Sequence, residues 1–157
     1  MRNKNKFINN NYSYLPIFLI LYLTVLLGFY FNEDSLGGAE HDFIYHLNIS
    51  NLFNENFNNT WNKYGVDPVN RNSPVFWILA SFIIKFASVD SLRFLNLMVA
   101  PLIVFFFYKC LLIKFKEINQ NILGIIACTV YLSPTIRSLS IWPYSFIWGL
   151  LLFIISI

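Results

Sequence analysis

The sequence predicts an all-α membrane protein, and three observations support that prediction. Hydrophobic residues make up 57% of the 157-residue chain, charged residues only 12%, and the mean hydropathy is +0.55. Soluble domains carry about 25% charged residues, so this much apolar surface is expected to face lipid. Four apolar stretches are also long enough to cross a bilayer, which takes about 17–25 residues once snorkelling ends are included. We therefore expect an integral, multi-pass protein.

The first predicted span covers residues 15–31. Arg2, Lys4 and Lys6 precede it, which fits either a cytoplasmic N-terminus or the start of a signal peptide. The length of the apolar run favours a retained span. Residues 32–91 then form one long non-cytoplasmic loop.

Within that loop, residues 74–87 are apolar but are too short for a full span. Apolar side chains recur at helical spacing on one face of this stretch, as in a helix that lies in the plane of the membrane interface. That face consists of Val75, Phe76, Leu79, Phe82, Ile83 and Phe86, with Ser81, Lys85 and Ser88 opposite. The sequence therefore predicts an interfacial helix at residues 74–87.

Three further spans are predicted at residues 92–112, 118–136 and 139–157, with a short turn between Pro134 and Pro143. The chain ends at Ile157 inside an apolar run that has no polar residues to anchor it at an interface. We expect residues 1–157 to form a single transmembrane domain. The apolar end predicts the N-terminal part of a larger protein, or the product of a gene that has lost its 3′ part.

Charge and cysteine content argue against two kinds of site. The net charge of +3 is small, and no basic run alternates with aromatic residues, so nucleic acid is not an expected partner. Cys110 and Cys128 both lie in apolar stretches, which favours buried thiols over a disulfide or a metal site.

Seven of the eight acidic residues lie in the predicted loop, and the densest cluster is residues 40–46. In a helix, Asp42 and His46 share a face at i and i+4, as do His41 and Tyr45. Such a pair could hold a divalent cation, or Asp42 could act as a base while His46 orients a substrate. The spacing alone favours an ordinary solvated helix face.

Several motifs together resemble the start of the GT-C membrane glycosyltransferases. Asp42-Phe43-Ile44-Tyr45-His46 is similar to the Asp-Glu-Ile-Phe-His of the α-1,2-glucosyltransferases that complete dolichol-linked oligosaccharides, although Phe43 replaces the Glu. Ser73-Pro74 opens the predicted interfacial helix, where the family usually has Pro-Pro. Residues 91–97 resemble the Leu-Arg-Phe-x-Asn-Leu that opens the second span, and residues 133–137 resemble the outer turn after the third. The resemblance implies a GT-C-like N-terminal helical bundle with a long outer loop that carries juxtamembrane helices.

The resemblance also implies a chemistry and a set of site residues. The donor would be a sugar carried on a polyprenyl phosphate, transferred with inversion. Asp42 would be the general base, and Tyr45 and His46 would orient the substrate. The cations expected at the leaving phosphate are Arg93 and Arg71, followed by Lys85 and Arg137. Some members of the superfamily work without metal, so a divalent metal is an open cofactor assignment, with Glu40 and His41 as its candidate ligands.

Two alternatives to this enzyme remain open at the level of sequence. One is a non-catalytic multi-span membrane protein, or a degenerate fragment that retains only the first loop. The other is a transporter, although none of the four predicted spans has a charged residue in its interior. The excess of Asn, Lys, Ile and Phe suggests an AT-rich genome, which favours a bacterial plasma membrane over the endoplasmic reticulum.

Overall fold

The structure is a computed structural model that describes residues 14–64, 66 and 73–157. Over that part of the chain it is all-helical, as predicted, with short connections and no strands. The helices are α1 (Leu15–Tyr30), α2 (Ala39–Glu55), α3 (Phe57–Tyr64), α4 (Val75–Phe86), α5 (Val89–Lys114), α6 (Gln120–Cys128), α7 (Pro134–Ile141) and α8 (Ser145–Ile155), with a 3-10 turn (Thr129–Leu132) between α6 and α7.

One helix among the described residues, α5, is by itself long and apolar enough to cross a membrane. It has 26 residues and covers the predicted second span. The segment from α6 through α7 meets the same test only if its two arms are counted together. α1, α4 and α8 are apolar but shorter. The structure therefore shows one helix that could span a bilayer, or two if the bent pair counts as one span.

The segment predicted as the third span is bent by 68° near residue 133. Ser133 leaves the helical conformation and its hydroxyl accepts a hydrogen bond from the Ile136 N–H, while Pro134 occupies the first turn of α7. Both residues are favoured at a helix start, so they begin a new helix instead of continuing the old one. The short turn predicted between Pro134 and Pro143 is wrong, because eight of these residues form α7.

Most of the predicted loop at 32–91 is also helical. α2 and α4 pack together through a buried face that includes Phe43, Phe53, Trp77 and Ala80. On α4, the side chains predicted to meet the interface are largely exposed, with Val75 at 59% and Phe86 at 81%. Ser81 was placed on the polar face, but it is buried and donates to the Ile78 carbonyl at 2.7 Å.

Among the described residues, two apolar clusters hold the bundle together. The larger one joins α2, α4, α5, α7 and α8, and the smaller one joins α1, α5, α6 and the 3-10 turn. The fully buried Asn96 of α5 connects the helices of the larger cluster, because its amide donates to the carbonyls of Leu139 and Ser140 and its oxygen accepts from the Trp148 indole N–H. This packing places the start of α2 beside α7 and the first turn of α8.

Candidate functional site

The start of α2 is fixed by the carboxylate of Asp34. Gly37 and Gly38 have φ values of 74° and 135°, which favour glycine, and they turn the chain so that its N–H groups face that carboxylate. Asp34 accepts hydrogen bonds from the N–H groups of residues 37–40 at 2.7–3.3 Å. Burial raises the pKa of Asp34, but these four bonds together outweigh it and hold the pKa below its ordinary value. Asp34 is therefore a capping residue.

Asp42, one turn further along α2, lines a cavity of about 220 Å³ that we call the Asp42 pocket. The carboxylate is exposed, and the walls come from α2, α7 and the first turn of α8. The other lining residues are Leu36, Ala39, Thr135, Leu139, Tyr144 and Phe146. A carboxylate beside hydroxyl groups and an aromatic ring suits a small ligand that has hydroxyl groups on one side and C–H groups on the other.

His46 lies on the same helix but points into the core. It is 8% exposed, its ring stacks on Trp77 at 4.4 Å, and it meets the edge of Tyr144 at 5.3 Å. Burial lowers the pKa of His46, and the smaller influence of the Asp42 charge raises it, so the neutral imidazole is favoured. The predicted role of His46 in orienting a substrate would have to act through Tyr144, since His46 does not line the Asp42 pocket.

The other residues of the predicted cluster also lie outside the Asp42 pocket. Tyr45 is 40% exposed and packs against the edge of His46 at 5.2 Å. Glu40 and His41 are exposed at the start of α2. In the part of the chain that the structure describes, no group of three His, Cys, Asp or Glu residues lies close enough to hold a metal ion. A metal at Glu40 and His41 would need its remaining ligands from elsewhere.

Arg93, a predicted phosphate-binding cation, lies near the start of α5 and packs against aromatic rings. Its guanidinium lies 4.2 Å from the Trp142 ring and 5.0 Å from the Phe29 ring, and one of its nitrogens donates to the Asn32 side chain at 2.7 Å. Its Nε is buried without a hydrogen-bond partner. The negative charges of Asp90 and Glu40 also attract the Arg93 guanidinium. The ring contacts thus fix the position of the Arg93 guanidinium.

Arg137 is already paired. Its guanidinium donates to both Glu33 carboxylate oxygens at 2.9 Å and 2.5 Å, and to the Thr24 hydroxyl at 2.8 Å. These bonds from Arg137 lower the pKa of Glu33 more than burial raises it. An anion at Arg137 would have to compete with this pair, so the residue is better suited to joining α1 to α7.

Two of the predicted cations remain, Lys85 and Arg71. Lys85 is exposed in the last turn of α4. Arg71 lies outside the described residues.

Sequence reasoning missed the part played by Glu33 and Trp142. The Trp142 indole N–H donates to the Glu33 carbonyl at 3.1 Å, and its ring supports both Arg93 and Phe43. In the sequence, Trp142 falls within the short turn predicted between Pro134 and Pro143, and Glu33 is one of the seven acidic residues of the predicted loop. The position of Glu33, two residues after the end of an apolar run, was the one signal that could have pointed to an ion pair with Arg137.

Comparison of the chain with protein-family models, with curated proteins and with solved structures finds no match. The likeness to the GT-C glycosyltransferases therefore rests on the sequence motifs, and what it implies about function belongs to the proposal that follows.

Proposed function

We propose that this chain forms part or all of an inverting membrane glycosyltransferase that takes a sugar from a polyprenyl-phosphate donor. The observation that carries the proposal is the position of Asp42, whose exposed carboxylate lines a small pocket beside hydroxyl groups and an aromatic ring. Asp42 is also the residue that the sequence resemblance selects as the base. The apolar exposed surfaces of α1, α4, α5 and α8 support a lipid environment for the bundle.

In the proposed reaction, Asp42 accepts the proton of an acceptor hydroxyl as that oxygen attacks the anomeric carbon of the donor sugar. The new glycosidic bond forms on the opposite face from the phosphate, and the bond between carbon and phosphate oxygen breaks. Its electron pair leaves with the lipid phosphate, and the configuration of the anomeric carbon inverts. The Arg93 guanidinium balances the charge on the departing phosphate.

The proposed location of the protein follows from the exposed apolar surfaces of α1, α4, α5 and α8. We place the protein in a membrane as an integral, multi-pass protein, with a bacterial plasma membrane favoured over the endoplasmic reticulum by the residue composition. The N-terminal side of α5, which carries Arg93, would lie near the outer interface together with α2 and α4.

The Asp42→Asn substitution tests this proposal in membranes that contain the protein. The assay follows transfer of radiolabelled sugar from polyprenyl-phosphate glucose and polyprenyl-phosphate mannose. General base catalysis contributes about 10²–10⁴-fold, so transfer should fall by about that factor while membrane insertion is unchanged. Glu55→Gln is the matched control, because Glu55 is an exposed carboxylate at the far end of the same helix.

Two results would count against the proposal. Full transfer activity in the Asp42→Asn protein would exclude Asp42 as the base. Absence of transfer by the unaltered protein with both donors would favour the non-catalytic membrane protein.

A further inference from the structure

A small cavity lies between the start of α1, the second half of α5 and α6. Its volume is about 170 Å³, and we call it the α1–α5–α6 cavity. Its lining is almost entirely apolar, and four aromatic rings form much of the wall, those of Tyr14, Phe18, Phe105 and Tyr108. A methylene group takes about as much room as a water molecule, about 30 Å³, so about five or six methylene groups fit. The cavity therefore suits a segment of a hydrocarbon chain.

Small residues of α6 form the wall that faces α1 and α5. Gly124, Ala127 and Cys128 recur at helical spacing and all line the cavity. A Cβ at Gly124 would collide with the Tyr14 ring, so glycine at this position lets the start of α1 pack close to α6. The Tyr14 ring also packs against Tyr108 of α5, with the ring centroids 5.1 Å apart. Three helices thus enclose the cavity.

Lys109 places a positive charge beside a wall of this cavity. Its ammonium group lies 5.4 Å from the centre of the Phe105 ring, one turn earlier on α5, and Phe105 lines the cavity. Lys109 is exposed, and among the described residues no carboxylate lies within ion-pair distance of it. A cation held beside an apolar cavity is complementary to an anion that is joined to a hydrocarbon chain.

The depth of Lys109 along α5 adds to this argument. α1 and α5 run in opposite directions, since Tyr14 meets Tyr108 at one end and Phe29 meets Arg93 at the other. From Arg93 to Lys109 the helix rises about 24 Å, less than the thickness of a hydrocarbon core, which is about 30 Å. With Arg93 near the outer interface, the Lys109 ammonium lies just inside the cytoplasmic one. An unpaired charge at that depth is costly, so an anionic partner is favoured.

We propose that the α1–α5–α6 cavity binds an anionic phospholipid of the cytoplasmic leaflet, with part of one acyl chain in the cavity and the headgroup phosphate at Lys109. That leaflet is rich in anionic lipids, which attract basic residues near the membrane surface. A peptide segment would instead bring N–H and C=O groups that these apolar walls leave unpaired. The inference uses the membrane location proposed above and does not depend on sugar transfer.

Photolabelling of the protein in phosphatidylcholine nanodiscs tests the site directly. The probe is a phosphatidylglycerol that carries a diazirine in one acyl chain, and labelled residues are located by mass spectrometry. Label is expected on the residues of α1, α5 and α6 that line the cavity. Added phosphatidylglycerol should displace the probe about fivefold more effectively than added phosphatidylcholine, because one lysine beside an anionic lipid contributes about that factor.

Two lysine variants test the charge at this site. Lys109→Gln should remove the fivefold preference for phosphatidylglycerol. Lys114→Gln is the matched control, because Lys114 is an exposed lysine in the last turn of the same helix. Its ammonium group lies 5.8 Å from the ring of Phe115, which does not line the cavity. The preference should therefore persist in Lys114→Gln.

Two tryptophan variants test the apolar part of the site. Leu15 lines the cavity and is 46% exposed, so Leu15→Trp adds bulk there without burying a new side chain in the core. It should reduce labelling of α5 and α6 about tenfold, as expected when about two methylene groups lose their burial. Leu19→Trp, one turn later and outside the cavity, should label normally. If thermal unfolding shows that Leu15→Trp has lost the fold, the two lysine variants still decide.

Three results would overturn the inference. Equal displacement by phosphatidylcholine would identify an ordinary bilayer lipid as the occupant. Equal loss of the preference in Lys109→Gln and Lys114→Gln would assign it to the general positive charge of this end of α5. Label spread evenly over the exposed apolar helices would show that the cavity holds no lipid of its own.

The outcomes also separate the lipid site from the proposed function. Labelling that depends on Lys109, in a protein that transfers no sugar, would support the lipid site and count against the enzyme. Sugar transfer that depends on Asp42, with labelling that does not depend on Lys109, would overturn the lipid site and leave the enzyme standing.

Discussion

The guanidinium of Arg137 donates hydrogen bonds to both carboxylate oxygens of Glu33, and this ion pair connects the segment after α1 to α7. The pair is partly buried, with side-chain exposures of 19% for Arg137 and 28% for Glu33. Gly28 makes room for it: a Cβ at this position would collide with the Glu33 carboxylate and come within 3.1 Å of the Ile141 side chain. A side chain at residue 28 would therefore displace the Glu33 carboxylate from its present position.

Gly28→Ala should destabilise the protein by about 1–2 kcal/mol, because the added methyl group displaces Glu33 and weakens hydrogen bonds between charged groups. Thermal unfolding of the purified protein in detergent measures the change. Gly149→Ala is the matched control, since its Cβ meets nothing within 4 Å. Equal midpoints for the two variants would mean that the Glu33–Arg137 pair tolerates the methyl group.

Asn96→Leu should destabilise the protein more strongly. Asn96 is fully buried, and its loss would leave the carbonyls of Leu139 and Ser140 and the indole N–H of Trp148 without their partner. At about 1 kcal/mol or more for each buried group, the free energy of unfolding should fall by roughly 3 kcal/mol. Asn62→Leu, at an exposed position of α3, is the comparison. An unchanged unfolding midpoint for Asn96→Leu would contradict this account of the α5–α7–α8 contact.

The position of the long apolar helices could be predicted from the sequence. The first predicted span, 15–31, corresponds to α1, and the second, 92–112, lies within α5, because an uncharged apolar run is a local signal. The bounds of the helix predicted at 74–87 agree closely with those of α4 for the same reason. The helical content of residues 39–64 was harder to see, because the many Asn residues favour turns.

The partners of the charged residues could not be predicted. Glu33 and Arg137 are 104 positions apart in the chain, and nothing local connects them. Arg93 and Trp142 likewise meet only because α5 packs on α7. In contrast, the relation of Asp42 to His46 is set by one helical turn, and the structure adds that one side chain faces a pocket and the other faces the core.

The pH dependence of stability should report the burial of His46. Since burial lowers its pKa below the ordinary value of 6.5, the unfolded chain takes up a proton first as the pH falls. The contribution of neutral, buried His46 to stability is therefore complete above pH 6.5, the pKa of the unfolded state. It is lost as the pH falls through the lowered pKa of the folded state. Unfolding midpoints measured from pH 7.5 to pH 5 should decrease, and His46→Phe should flatten the decrease. His41→Phe, at an exposed position of the same helix, should leave it in place. A steep decrease in the His46→Phe protein would assign the effect to another group.

Arg93 and Lys85 should differ sharply in the transfer assay, although both were predicted as phosphate-binding cations. Arg93 is held against Trp142 and Phe29 and keeps a buried Nε without a partner, whereas Lys85 is exposed at the end of α4. Loss of one pre-positioned donor to a developing anion costs about a hundredfold in kcat, so Arg93→Gln should lower kcat by about that factor, and Lys85→Gln should not.

Arg93→Lys separates charge from geometry, because an ammonium group keeps the charge but cannot form the planar fork or stack in the same way. It should recover only a small part of the lost kcat, while thermal unfolding shows whether loss of the Trp142 contact has destabilised the bundle. If kcat falls in Lys85→Gln and is normal in Arg93→Gln, the phosphate site lies at Lys85, in the last turn of α4, and not at Arg93. Such a result would also separate that site from the Asp42 pocket.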